Sequence, residues 1–153
     1  MNRPPLIAVA LTAAGVIPFI VGTGLALNAP WALNFAKAVP WAMPRSGADF
    51  LIHYGIVILS FMTGVFWGFA TQAEDRHRTL AYTLSVIPAL YAFFFVAGTP
   101  TQQLTALTFG FIGLLGFDGI YAWMGLAPAW WRSLRLPVTF AVVLALGTAI
   151  RGL

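Results

Sequence analysis

The residue best placed to do chemistry is Asp118, the only acidic residue that lies inside an apolar run of the sequence. A carboxylate costs roughly 2.5–3.5 kcal/mol at the membrane centre, and less nearer the interface. It therefore needs donors, and we predict that Trp67 or Tyr82 supplies one, since both lie at a similar depth. The flanking arginines are the other candidates: Arg76, Arg78 and Arg132. We interpret Asp118 as a polar clamp between helices; the alternative is a proton or ion site on a transport path.

A second polar group lies at the start of the central apolar run. Ser46 and Asp49 have the spacing of a capping box, which predicts that Asp49 helps to cap a helix. His53 lies one turn further along the same face, within reach of Asp49. We expect both residues at the membrane interface, with His53 as a hydrogen-bonding residue; a proton-handling His53 is the alternative.

Few other side chains have the types or spacing of a reactive site. The chain has no cysteine, which excludes disulfides, thiolate metal sites and cysteine nucleophiles. The sequence holds no Gly-rich phosphate loop, no HExxH and no GxSxG. Its two histidines, His53 and His77, stand at opposite ends of the central run and cannot share a metal. We predict a protein without a metal or cofactor that is not an enzyme.

The composition is that of an integral membrane protein. Hydrophobic residues make up 60% of the 153 residues and charged residues 8%, against about 25% charged in typical soluble domains. The net charge of +4 would suggest nucleic acid in a soluble chain, but here the basic residues lie in short loops between apolar runs. We therefore expect no nucleic-acid binding, and expect the partners to be the lipid bilayer and other transmembrane helices.

Five apolar runs predict an all-α integral membrane helical bundle in one membrane domain. A span needs about 20 residues at 1.5 Å each to cross a hydrocarbon core of roughly 30 Å. The predicted spans are residues 6–27, 50–71, 79–96, 104–124 and 137–150. The last run is short, so that four spans are the alternative. Between prolines, residues 31–39 predict a short helix in the membrane interface.

The distribution of Lys and Arg predicts the orientation. With five spans, five basic residues share one side of the membrane: Arg3, Arg76, Arg78, Arg132 and Arg135. Three share the other side: Lys37, Arg45 and Arg151. The positive-inside rule then puts the N-terminus in the cytoplasm.

Small residues on two runs predict close helix packing. Ser60, Gly64 and Gly68 stand four apart and leave a groove along one side of the central helix. In lipid, close approach over small residues is a main source of packing energy. Gly110 and Gly113 belong to a second set on the fourth run, where a spacing of three winds around the helix. We expect all five residues to pack against helices of this chain or of a partner.

Four short motifs resemble one known family. They are GVIPF at residues 15–19, YGIVILSF at 54–61, GVFWG at 64–68 and SVIPAL at 85–90. Their order is similar to that of the transmembrane protein 69 family, also called domain of unknown function 3429. One departure is Phe66, where such sequences often carry a polar or basic residue. The resemblance implies a small multi-pass protein of bacterial inner or mitochondrial membranes, and it implies no particular chemistry.

The sequence favours a protein that works by helix packing, as an accessory, assembly or scaffolding component of a membrane complex or as a homo-oligomer. We place it in the bacterial inner membrane as a multi-pass protein. A small oligomeric transporter or channel, with Asp118 on the ion or proton path, is the alternative. A lipid- or quinone-handling protein is a third.

Overall fold

A computed structural model describes residues 3–40 and 46–153. Arg45, which was counted in the charge distribution, lies outside the described residues. The regular structure of the described chain is entirely α-helical, as predicted. Its six helices are α1 (Leu6–Ala26), α2 (Pro30–Ala38), α3 (Gly47–Ala70), α4 (Asp75–Phe95), α5 (Pro100–Trp123) and α6 (Trp131–Arg151).

Five of these helices, all except α2, are long and apolar enough to cross a membrane. Their outer faces carry large apolar side chains that water would not tolerate together, such as Phe93, Phe94 and Phe95, which are 64–78% exposed. The prediction of a membrane helical bundle is therefore confirmed. The last run belongs to α6, whose 21 residues extend about 31 Å and are apolar enough to cross a membrane, which favours five spans over four.

The predicted span boundaries were wrong where a proline or a charge was taken as a helix end. α6 begins six residues before Pro137, which lies inside the helix and leaves only the carbonyl of Ser133 without its backbone donor. α4 begins at Asp75 rather than at residue 79, since charged residues fit a first turn that reaches water. α3 and α5 extend beyond the predicted spans, from Gly47 and Pro100, and for α3 this start agrees with the capping pattern at Ser46.

Side-chain caps explain where α3 and α5 begin. Ser46 caps α3, and its hydroxyl accepts a hydrogen bond from the Asp49 backbone N–H at 3.0 Å. Thr99 caps α5 in a full capping box with Gln102. The short helix predicted at residues 31–39 is confirmed as α2, which packs on α1 through the buried Ala32.

Helices α1, α3, α5 and α6 form a ring in which each contacts its two neighbours, and α4 packs outside it on α3 and α5. The central helix, α3, contacts α1, α4 and α5. It does so through the buried side chains of Leu51, Leu59 and Phe66. At Gly55 the missing side chain admits α5, since a Cβ there would lie 2.8 Å from Leu107 Cδ1.

Candidate functional site

Asp118 lies on the inner face of α5 and is only 1% exposed. Both of its carboxylate oxygens are engaged by α6. The indole Nε1 of Trp131 donates to Oδ1 at 2.6 Å, and Nε of Arg135 donates to Oδ2 at 3.0 Å. The side chains of Asp118 and Arg135 are 2% and 7% exposed, so this is a buried ion pair with an added neutral donor.

Helix spacing puts both donors on one face of α6. Trp131 and Arg135 are four residues apart, so their side chains lie one above the other. The Trp131 ring meets the Phe69 ring of α3 edge-on, with centroids 5.3 Å apart. The Arg135 guanidinium lies 5.9 Å from the Trp131 ring centroid, at cation–π distance. Trp131 thus holds the arginine as well as the carboxylate.

The turn between α5 and α6 brings the two sides of this pair together. After α5, Gly125 adopts φ +74°, a left-handed conformation that favours glycine. Its N–H donates to the Ala122 carbonyl at 3.1 Å, and the Leu126 N–H donates to the Tyr121 carbonyl at 2.9 Å. These two bonds make a Schellman motif, which ends α5 and reverses the chain. The start of α6 therefore returns alongside the last turns of α5.

The ion pair lies near one end of the bundle. Asp118 is five residues from the end of α5 and Arg135 four from the start of α6, so both lie about 6–8 Å inside the helix ends. This end also holds the start of α1 and the loop between α3 and α4. A charge at this depth costs less than one at the membrane centre, and the pairing offsets part of that cost.

Trp67 and Tyr82 were predicted to hold Asp118, and this prediction is wrong. The Trp67 ring is 49% exposed and meets the Tyr82 ring edge-on, with centroids 4.7 Å apart. It is the neighbouring Phe66, fully buried, that faces α5 and stacks on Tyr121. One residue on a helix is a rotation of about 100°, so Trp67 points away from Asp118.

The predicted arginine partners of Asp118 also lie elsewhere. Arg76 pairs with Glu74 at 3.4 Å and Arg78 with Asp75 at 2.6 Å, all with exposed side chains. Arg132 is exposed and lines, together with Asp118, a small cavity of about 60 Å³.

Asp49 and His53 contact each other through the backbone rather than as an ion pair. The Asp49 carboxylate accepts a hydrogen bond from Ser46 Oγ at 2.9 Å. The His53 ring donates from Nδ1 to the Asp49 carbonyl at 2.7 Å. His53 is thus a hydrogen-bonding residue that reaches Asp49, as predicted, although its acceptor is the backbone carbonyl rather than the side chain.

The predicted packing glycines divide into an inner and an outer set. A Cβ at Gly110 would lie 2.9 Å from both Leu59 and Tyr91, so this residue packs between helices as predicted. A Cβ at Gly64, Gly68 or Gly113 would meet nothing within 4 Å among the described residues. In the described part of the chain these three glycines pack against no other helix, and Ser60 is half-buried.

Comparison with known proteins fits this architecture. The family described as "Protein of unknown function (DUF3429)" matches residues 4–151. The chain belongs to the DUF3429 family. The predicted family resemblance is thereby confirmed, since the match covers all five spans.

A curated relative of this DUF3429 chain is "Transmembrane protein 69" of Xenopus tropicalis. The two are 30% identical over 150 residues, which cover 95% of this chain and 54% of the relative. The chain thus spans about half the length of the curated relative it matches. Among solved structures, none matches it.

The sequence analysis did not predict Trp131 and Arg135 as partners of Asp118 in this DUF3429 chain. The signal was present: residues 131, 135, 139, 142, 146 and 149 recur at spacings of four and three, which makes one helix face. Taking Pro137 as a helix start hid it. Across the described residues, no cluster of three or more His, Asp or Glu side chains has a metal-binding arrangement.

Proposed function

We propose that this protein acts by helix packing, as an accessory or assembly component of a membrane complex. Its docking surface is the side of α3 formed by Ser60, Gly64 and Gly68, which we call the α3 glycine face. The observation that carries the proposal is the space at Gly64 and Gly68, where a Cβ would meet no described atom within 4 Å. A partner helix can therefore approach the α3 backbone closely.

Glycines that pack inside the chain support this interpretation. At Gly55 and Gly110 a Cβ would lie within 3 Å of a side chain on a neighbouring helix, so the absence of a side chain there allows the helices to pack closely. Each glycine costs about 1 kcal/mol of helix propensity relative to alanine in water. At Gly64 and Gly68 nothing in the described chain offsets such a cost. A helix supplied from outside the chain offsets it by van der Waals contact.

The flanks of the α3 glycine face have the shape of a docking groove. Phe61 is 64% exposed and Trp67 is 49% exposed, and both stand beside the glycines on the outer side of α3. The rings of Phe61 and Trp67 form ridges, and the α3 glycine face forms a groove beside them. A transmembrane helix of a partner protein fits into this groove. A second copy of this chain is the other occupant that the test below distinguishes.

The Asp118 ion pair supports a structural role rather than transport. Both oxygens of Asp118 are bonded to α6, and the carboxylate is 2% exposed. A carboxylate on an ion path has to exchange its partner for the ion. We therefore infer that Asp118 and Arg135 fasten α5 to α6. If Asp118 carries protons instead, Asp118→Asn will abolish a proton flux that wild-type liposomes show.

We also propose the compartment and orientation. The excess of basic residues at the end of the bundle that holds the α3–α4 loop favours that end as the cytoplasmic one. The protein is then a multi-pass protein of a bacterial inner membrane with its N-terminus in the cytoplasm. We infer no enzymatic activity, since the buried charged groups bind each other.

The proposal is tested by Gly64→Leu, which fills the groove without touching the rest of the chain. We expect the native complex, measured by size in mild detergent, to lose this subunit while the thermal stability of the purified chain stays unchanged. Gly116→Leu is the matched control, since Gly116 is also open on the outer side of α5. A Gly64→Leu complex of unchanged size contradicts the proposal, and a change from dimer to monomer identifies a second copy as the partner.

A further inference from the structure

A cavity of about 150 Å³ lies between α1, α3 and α6, with the buried Phe111 of α5 also in its lining. Its walls are mainly apolar, and the aromatic rings of Phe19 and Phe111 meet there edge to face at 5.5 Å. An apolar cavity of this size is large enough to hold a six-membered ring. Two residues of the lining, Leu11 and Phe61, are 66% and 64% exposed, so the cavity opens toward the surrounding membrane.

Two residues of α6 give this cavity a polar side. Arg135 and Thr139 both line it, and both are more than nine-tenths buried. Within the described chain, Arg135 Nη2 and Thr139 Oγ1 have no hydrogen-bond partner. Buried donors without partners are rare because each costs free energy, so an unpaired donor needs an explanation. The two residues lie one turn apart on α6 and both line the 150 Å³ cavity, and Arg135 also lines the 60 Å³ cavity beside Asp118.

The depth of the cavity matches a lipid-soluble molecule. Arg135 lies about 6 Å from the start of α6, and Val142, at the other end of the lining, about 16 Å from it. The polar residues therefore lie toward the membrane surface and the apolar walls reach toward the midplane. A molecule with a polar head and an apolar body has the same order of groups.

The charge of the site determines whether the polar group of the ligand is charged or neutral. Asp118 already neutralises Arg135 through Nε, and a further anion would be buried in apolar surroundings without a second cation. The free groups are N–H and O–H donors, so they fit an acceptor. A neutral carbonyl oxygen satisfies both donors without adding charge.

We propose that this cavity binds a membrane-soluble molecule whose carbonyl oxygen accepts hydrogen bonds from Arg135 Nη2 and Thr139 Oγ1. The rest of the molecule, an apolar ring or chain, fills the space toward Phe19 and Phe111. A quinone ring and the acyl ester of a lipid share this chemistry. The proposal does not depend on the α3 glycine face: Phe61 borders both surfaces, but Ser60, Gly64 and Gly68 do not line the cavity.

The test is ligand binding by the full chain in nanodiscs of ether-linked lipids, which carry no ester carbonyl. The probes are a decyl-substituted benzoquinone and methyl decanoate, and the control ligand is decylbenzene, which has no carbonyl. Native mass spectrometry over a titration gives the dissociation constants. We expect at least one carbonyl probe to bind at least tenfold more tightly than decylbenzene. The probe that binds more tightly shows whether the carbonyl belongs to a quinone or to a lipid ester.

Two variants test the site itself, each with a matched control. Thr139→Val removes one donor and should weaken the carbonyl probe about fivefold; Thr148→Val, on the same helix outside the cavity, should leave binding unchanged. Val138→Phe fills the cavity and should weaken binding at least tenfold, whereas Val57→Phe on the outer side of α3 should not.

Three results overturn the proposal. The first is that decylbenzene binds wild type as tightly as both carbonyl probes do, which means that the cavity recognises only apolar surface. The second is that Thr139→Val binds the carbonyl probe as tightly as wild type does. The third is that neither carbonyl probe binds wild type, which leaves the two donors to ordered water. The comparison of ligands needs no variant, so the proposal stays testable if Val138→Phe does not fold.

Discussion

Breaking the buried ion pair from either side should destabilise the bundle, and breaking both sides together should cost little more. At 3.0 Å and an effective dielectric constant near 20, the attraction between Asp118 and Arg135 is about 5.5 kcal/mol before desolvation is counted. After desolvation we expect Asp118→Asn or Arg135→Met to lower the free energy of unfolding by about 3 kcal/mol each. Asp118→Asn leaves the buried Arg135 guanidinium without its counter-charge, and Arg135→Met leaves the buried Asp118 carboxylate without its counter-charge.

The double variant isolates the interaction energy between Asp118 and Arg135. Asp118→Asn with Arg135→Met should cost about as much as either single change, which gives a coupling energy of about 3 kcal/mol. The assay is reversible unfolding in mixed micelles by increasing the fraction of a denaturing detergent, followed by far-UV circular dichroism.

An exposed pair in the same chain provides the control. Asp75 and Arg78 lie closer together, at 2.6 Å, but their side chains are 90% and 57% exposed. Asp75→Asn with Arg78→Met should therefore show a coupling below about 0.5 kcal/mol. If the buried pair couples no more strongly than this one, the conclusion that Asp118 and Arg135 fasten α5 to α6 is refuted.

Three further predictions concern packing, turn geometry and topology. Gly55→Leu should destabilise the purified chain by roughly 1–3 kcal/mol, because the new side chain overlaps Leu107; thermal unfolding measures it. Gly125→Ala should cost about 1–2 kcal/mol in the same assay, since alanine strains a left-handed backbone at φ +74°. A reporter fused after Leu153 should read periplasmic and one inserted near Asp75 cytoplasmic, and a shared side would contradict five spans.

Composition and run length were enough to predict the membrane bundle and its five spans. A chain with 60% hydrophobic residues, gathered in runs of about 20, has few other folds open to it. The four motifs predicted the DUF3429 family, which the match over residues 4–151 confirmed. Capping residues also predicted a helix start, since Ser46 begins α3.

The rotation of each helix was much harder to predict. A membrane helix is apolar all round, so hydrophobic periodicity does not distinguish its inner from its outer face. Phe66 and Trp67 are adjacent in the sequence, and we predicted that the Trp67 indole faces α5. In the structure Phe66 faces α5 and Trp67 points away from it. The same ambiguity left open whether Gly64 and Gly68 pack against this chain or against a partner, and the described chain leaves their side open.

The partner of Asp118 was missed because a proline was taken as the start of a helix. Pro137 costs one backbone hydrogen bond, and α6 continues through it to Trp131. The bonds from Trp131 and Arg135 to Asp118 stabilise that first part of α6. Since these bonds are tertiary, only the spacing of α6 residues along one face pointed to them in the sequence.

The central claim, that the α3 glycine face docks a partner helix, is tested most directly by photo-crosslinking in native membranes. A photoreactive phenylalanine analogue at Phe61, which is 64% exposed beside that face, should give a discrete protein adduct that mass spectrometry identifies. The same analogue at Phe140, 70% exposed on α6, should react with lipid alone. Adducts to protein at neither position, or equally at both, would contradict the claim.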